Sequence, residues 1–346
     1  MLLRLFRLCP MSLPSNRASQ LIPGIMLLFA LGMIAVLVGG AIPAIDELLL
    51  SVFIGLILGN TCGIPSIAKP GVQLHSLALK TGIVLLGTQI AFSQLLSGGF
   101  TIIGLALGTV LFGILFTEFL TRMVFGLKAT TGSLLAAGST ICGVSAVVAV
   151  AESIDADESE IAYVAGAILL FDVVTLILYP AASSLVDISA KGFGIWAGLS
   201  MFSTGPVTVA GFAHSNIAGQ WATLTKLVRN SLIGGLSVVY TLHYSRADKS
   251  GSIYYQAQNM WSQFPKFLVG FILAGVIANT ELIPNQVVAS VDTIINWLFI
   301  IAFVGLGSGI DLTEIRRVGV QPLFVVGAYL ITIGSATLVA VLYMFP

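Results

Sequence analysis

The stretch GSLLAAGSTICGVSAVVAV, Gly132 to Val150, decides how this chain folds. Both of its ends are apolar, and Gly138, Ser139, Thr140, Cys142, Gly143 and Ser145 crowd into its middle. Glycine weakens helix continuity and Ser or Thr can cap a helix start, so the segment reads as half-helix, break, half-helix. A second stretch, GIWAGLSMFSTGPVTVAGFA (Gly194 to Ala213), repeats the pattern with Ser200, Ser203, Thr204, Gly205, Pro206 and Thr208. Proline has no N–H to give and suits the first turn of a helix, which places a restart near Pro206.

Such breaks matter because of the chain around them. Of 346 residues, 57% are hydrophobic and 9% charged, with a mean hydropathy of +1.03, whereas a soluble domain carries roughly a quarter charged residues. A spanning helix needs about 20 mainly apolar residues. Candidate spans run from Ile22 to Gly40, Leu48 to Gly59, Leu77 to Phe92, Ile102 to Leu120, Ser133 to Val150 and Ile161 to Tyr179. Five more run from Phe193 to Ala213, Leu224 to Leu242, Phe267 to Ala278, Ile294 to Gly307 and Leu323 to Tyr343. The expected fold is an all-α polytopic transmembrane bundle of about eleven spans, two of them discontinuous. It forms a single integral membrane domain over residues 1–346, in which residues 1–20 are a basic cytoplasmic segment and the first apolar run is a retained helix.

Lysine plus arginine equals aspartate plus glutamate at 15 each, so a nucleic acid is not an expected partner. Cys9, Cys62 and Cys142 are far apart and only three histidines are present. No disulfide framework, metal site or cofactor is expected. No Gly-x-Ser-x-Gly elbow, HExxH or P-loop occurs, and the loops are too short for a conventional active site, so the chain does not read as an enzyme.

Cytoplasmic loops are enriched in Lys and Arg. With the N-terminus inside, Arg4, Arg7, Arg17, Lys69, Arg122, Lys128, Lys191, Arg246, Lys249, Arg316 and Arg317 all fall on the cytoplasmic side. Asp46, Glu47, the acidic segment Glu152 to Glu160 and Glu281 fall outside. The pairs Gly55 with Gly59, Gly104 with Gly108 and Gly194 with Gly198 read as close-packing positions. The two interrupted segments also align at an offset of 60, Gly138 on Gly198, Val147 on Val207 and Ala162 on Ala222. Under the eleven-span topology these copies run in the same direction.

Backbone left unpaired at membrane depth is tolerated where it lines a cavity, and facing half-helix starts aim N–H groups at an anion. The substrate-binding candidates are therefore Ser139, Thr140, Cys142, Gly143 and Ser145 from the first break and Ser203, Thr204 and Gly205 from the second. Lys226 and Arg229, at i and i+3 on one helix face, join them as an anion attractor. Asp172 and Glu118 are candidates for a proton-linked carboxylate or a counter-ion. The bland alternatives are an Arg229–Asp172 ion pair, with Lys80 and Glu118 reaching to the interface. The function read from these residues is a secondary transporter for a small anionic solute. The expected partners are that solute, a coupling proton or sodium ion and the lipid bilayer, with a homo-oligomer allowed. A passive anion channel is the alternative.

At these residues the sequence resembles the YeiH-type family of bacterial inner-membrane proteins, whose provisional label is sulfate exporter. The resemblance rests on Gly138, Ser139, Thr140, Ile141, Cys142 and Gly143, on Thr81 to Gln94, on Lys226 with Arg229, and on Gly305 to Leu323. It implies a transporter-like inner-membrane protein exporting sulfate or an organosulfonate-derived anion. Two departures stand out. The family's His-Asp/Glu-Val-Ala-Gln-Val is replaced by Phe202, Ser203, Thr204, Gly205, Pro206 and Val207, and arginines of its third span are replaced by Lys80 and Gln89. They point to a different small solute as a further alternative.

Overall fold

The computed structural model describes residues 17–41, 46–89, 92–244, 264–279, 285–313 and 319–345, and among these it is helical, with no strand. Arg4, Arg7, Cys9, Arg246, Lys249, Glu281, Arg316 and Arg317 lie outside the described residues. Helices α1 (Arg17–Ala41), α2 (Glu47–Thr61), α3 (Lys69–Val72) and α4 (His75–Leu86) are followed by a 3-10 turn, Gly87–Gln89. Then come α5 (Phe92–Phe119), ending in a π-helical turn at Leu120–Val124, and α6 (Ala129–Thr140), α7 (Val144–Ile154) and α8 (Glu158–Ser183). The remainder is α9 (Ala190–Ser200), α10 (Thr204–His214), α11 (Asn216–Asn230), α12 (Ile233–Tyr244), α13 (Lys266–Ala278), α14 (Asn285–Ser308) and α15 (Val320–Met344).

Among the described residues, five helical stretches are long and apolar enough to cross a membrane: Gln20–Ala41, Gly99–Val124, Glu158–Ser183, Val291–Ser308 and Val320–Met344. They present Met26, Leu37, Phe100, Leu111, Ile331 and Val339 outward, a surface suited to lipid. Several starts are fixed by their own side chains. Asp46 accepts the Leu48 and Leu49 N–H groups at 2.9 and 3.2 Å, Ser189 that of Gly192 at 3.1 Å, and Ser215 that of Ala218 at 3.1 Å.

The chain does not run straight through either interruption. A straight helix would hold Gly138 about 13 Å from Val147 at 1.5 Å per residue; instead, a Cβ on Gly138 would collide with the Val147 side chain. In the second segment the Phe193 and His214 rings stack with centroids 4.3 Å apart, where a straight helix would separate them by about 30 Å. Each pair of half-helices, α6 with α7 and α9 with α10, is thus a helical hairpin. The expectation of two interrupted helices each running straight from one side to the other is corrected on this point.

Two long neighbours serve as rulers. Along α8, Glu160 accepts hydrogen bonds from Thr130 and Thr131 at 2.9 and 2.7 Å, at the mouth of the first hairpin. Further along, Ile168 touches Gly138, Asp172 meets Ser203, and Tyr179 bonds Ser200 and stacks on Trp196 of the second hairpin. Along α11 and α12, Ala218 packs on Gly194 and Thr225 on Gly198, while Ser237 meets Ser153 at 2.6 Å and Tyr244 meets Ser133 at 3.0 Å. The hairpins therefore enter from opposite ends and meet tip to tip.

This geometry gives the offset of 60 a different meaning. Adding 60 to α7 (Val144–Ile154) yields α10 (Thr204–His214), and adding 60 to α8 (Glu158–Ser183) yields 218–243, within one or two residues of the ends of the α11–α12 pair. The two copies run in opposite directions, so the expectation of parallel copies is overturned. Glu160 also brings the acidic segment to the Lys128 end, 3.8 Å from its ammonium, and not to the far side. Gly55 and Gly59 pack against the backbone of α14, and Gly194 and Gly198 against α11, as expected. Gly104 and Gly108 meet nothing within 4 Å.

Candidate functional site

Four half-helix ends converge where the tips meet, and they are treated in opposite ways. The carbonyl ends of α6 and α9 carry partial negative charge. Arg229, fully buried on α11, lies between them. Its Nε donates to Thr140 O at 2.9 Å, and Nη2 donates to Thr140 O at 2.5 Å and Ser139 O at 3.3 Å. Its Nη1 donates to the carbonyls of Gly198, Leu199 and Met201 at 3.0, 2.6 and 2.9 Å. Lys226, also fully buried, donates to Ile141 O at 2.8 Å and Met201 O at 3.0 Å. The Asn230 amide completes the bridge: its oxygen accepts from the Thr204 hydroxyl at 2.9 Å, and its nitrogen donates to Ile141 O and Lys226 O at 3.3 and 3.1 Å.

The amino-terminal ends have no cation between them, and the α10 start has a carboxylate beside it, Asp172. Neither α7 nor α10 has a side-chain cap. Gly143, which precedes α7, takes φ +69°, ψ −139°, a conformation that favours glycine, and a Cβ there would strike Ser203. Both starts open onto a cavity of about 360 Å³. It is lined by Cys142, Ser145, Ser203, Thr204, Gly205 and Asn230 from the tips, and Asp172 and Lys80 are also on its lining. Asp172 is nearly buried, and its Oδ1 accepts the Ser203 N–H at 3.0 Å. Among the described residues no carboxylate lies within ion-pair reach of Lys80. Ser76, Pro265 and Ile310, all at helix ends, mark the cavity's rim.

The residues singled out in the sequence therefore divide. Cys142, Ser145, Ser203, Thr204, Gly205 and Asp172 line the cavity, and Gly143 sets the turn beside it. Lys226 and Arg229 do not line it; backbone carbonyls take up their donors. Ser139 and Thr140 present their carbonyls to Arg229, and the buried Ser139 hydroxyl has no protein partner. Arg229 and Asp172 do not form the ion pair considered above.

Glu118 lies away from the tips, at the mouth of the first hairpin. It pairs with Arg122 at 2.6 Å and accepts from Ser133 at 2.6 Å and Tyr240 at 2.8 Å. Gln89 lines a separate polar cavity of about 440 Å³ with Asp46, Glu47 and Asp292, where its amide bonds Asp292. Lys80 and Asn230 are among the cavity residues that sequence reasoning did not assign to the site. Lys80 was legible as a charge inside an apolar run, and Asn230 as an amide one turn beyond Lys226.

The family model described as conserved hypothetical protein 698 matches residues 23–326. The UPF0324 inner membrane protein YeiH of Escherichia coli K12 is 30% identical over 329 residues, covering 91% of this chain and 93% of the relative. A UPF0324 membrane protein of Corynebacterium glutamicum is 29% identical over 318 residues, covering 92% and 89%. Another from Nitratidesulfovibrio vulgaris is 25% identical over 321 residues, covering 89% of each chain. No solved structure matches.

Proposed function

The chain belongs to the conserved hypothetical protein 698 family, and we propose that within this family of membrane proteins it works as a secondary transporter of a small anionic solute. The observation that carries the proposal is the asymmetry at the tips. The two negative helix ends are neutralised by Arg229 and Lys226, while the two positive ends face a cavity with Lys80 on its wall. Uncapped first-turn N–H groups and a helix macrodipole favour an anion. Asp172 at the same place is a proton-linked group: protonation would remove the one negative charge on the lining and admit the solute. The counter-ion is accordingly a proton.

In the bilayer, α1, α2, α4, α5, α8, the α11–α12 pair, α13, α14 and α15 are crossings, and the two hairpins are re-entrant from opposite faces. Arg17, Lys69, Arg122 and Lys128 then share one side, which is cytoplasmic by the positive-inside rule. Lys191 is the exception. The N-terminus lies inside, and the cavity opens to the cytoplasm through the rim at Ser76, Pro265 and Ile310.

The test is counterflow in proteoliposomes, reading exchange of labelled sulfate and small organic anions. Saturable exchange is expected, and Lys80→Ala should raise the apparent KM about tenfold, the effect of losing roughly 1.4 kcal/mol of attraction, with an unchanged melting temperature. A non-saturating leak would indicate a channel. Saturable exchange untouched by Lys80→Ala would remove Lys80 from the site.

A further inference from the structure

We infer that the solute is a small organic monoanion, a carboxylate or sulfonate head on an apolar tail, and not an inorganic divalent oxyanion; this rests on the anion site proposed above and narrows it. Polar and apolar groups share the lining of the cavity. Ser145, Thr204, Asn230 and Asp172 stand with Leu79, Ile83, Ile233, Phe267 and Leu306, and Leu306 reaches the Gly205 tip itself. A head at the tips leaves the tail against hydrocarbon.

Size and charge point the same way. At about 30 Å³ per water, the 360 Å³ of the cavity would hold roughly a dozen. A bare tetrahedral oxyanion fills a fraction of that space, and the remaining waters would meet apolar walls with few hydrogen-bond partners. An apolar tail displaces them. Among the described residues Lys80 is the only cation on the lining, which also carries the Asp172 carboxylate. One ammonium can compensate one negative charge. A second buried charge would go unpaired, and the desolvation cost of an ion is several kcal/mol even after the protein relaxes.

The experiment is calorimetric titration of the purified full chain with sodium sulfate and with methane-, propane- and hexanesulfonate, at fixed ionic strength. Burial of a methylene is worth about 0.8 kcal/mol, or about fourfold in affinity. Propanesulfonate should therefore bind roughly fifteenfold more tightly than methanesulfonate, and sulfate more weakly than any sulfonate. Lys80→Ala should weaken the whole series, which separates binding in the cavity from partition of tails into the micelle. Phe267→Ala should flatten the gain from propane- to hexanesulfonate and weaken hexanesulfonate several-fold more than methanesulfonate. Anion binding with no dependence on tail length, or sulfate binding as tightly as hexanesulfonate, would overturn this inference and leave the anion site standing. Failure of sulfate, the sulfonates and the matching alkanecarboxylates to bind at all would overturn both.

Discussion

Replacing Arg229 with Leu is expected to cost the fold on the order of 5 kcal/mol, a large part of the roughly 5–15 kcal/mol that holds a typical domain together. The reason lies in what the guanidinium touches. Five carbonyls, those of Ser139, Thr140, Gly198, Leu199 and Met201, take hydrogen bonds from it, and Met201 alone keeps another donor in Lys226. A buried acceptor stripped of its partner costs about 1–3 kcal/mol, and partial relaxation of the tips reduces the sum. Two helix ends also lose the cation between them. Thermal unfolding in detergent should show a large drop in melting temperature for Arg229→Leu. Arg229→Lys should fall between the two, because an ammonium keeps the charge without the fork. A variant that melts like the wild type and only weakens solute binding would make Arg229 a ligand contact.

Gly143→Ala should destabilise by about 2–4 kcal/mol and abolish exchange. Part of the cost is backbone: the φ of +69° at Gly143 burdens an L side chain by about 1–3 kcal/mol. The remainder is steric, since the new methyl would overlap the Ser203 side chain of the opposite tip and overpacking costs about 1–3 kcal/mol. The two parts can be separated. Ser203→Gly combined with Gly143→Ala should recover the steric part and not the backbone part, giving a coupling of about 1–2 kcal/mol in a double-mutant cycle read by unfolding. Additivity within about 0.5 kcal/mol would mean that the tips do not touch.

The sequence made the interruptions legible at their residues, because glycine at 143 and proline at 206 leave few alternatives inside an apolar run. It did not reveal that the chain doubles back. A half-helix that continues and one that returns bury the same apolar faces, and only contacts such as Phe193 with His214 separate them. The offset of 60 was visible in Gly138 and Gly198, but its inversion depends on that fold-back. Lys226 and Arg229 stood out as charges on one helix face. Their partners did not, because those partners are backbone carbonyls, which carry no sequence signal. Lys80 had the opposite fate: a single lysine near a helix start reads as an interface residue until the cavity beside it is seen.

The location of the solute can be tested at Ser145, which opens the first turn of α7 and is exposed on the cavity wall. With Cys9, Cys62 and Cys142 changed to Ser, a Ser145→Cys protein that retains exchange would be reacted with a small anionic methanethiosulfonate, with and without saturating transported anion. The expected result is that modification stops exchange and that the anion slows modification at least tenfold. Modification at the same rate in the presence of an anion that the same protein demonstrably exchanges would place the solute somewhere other than between the hairpin tips.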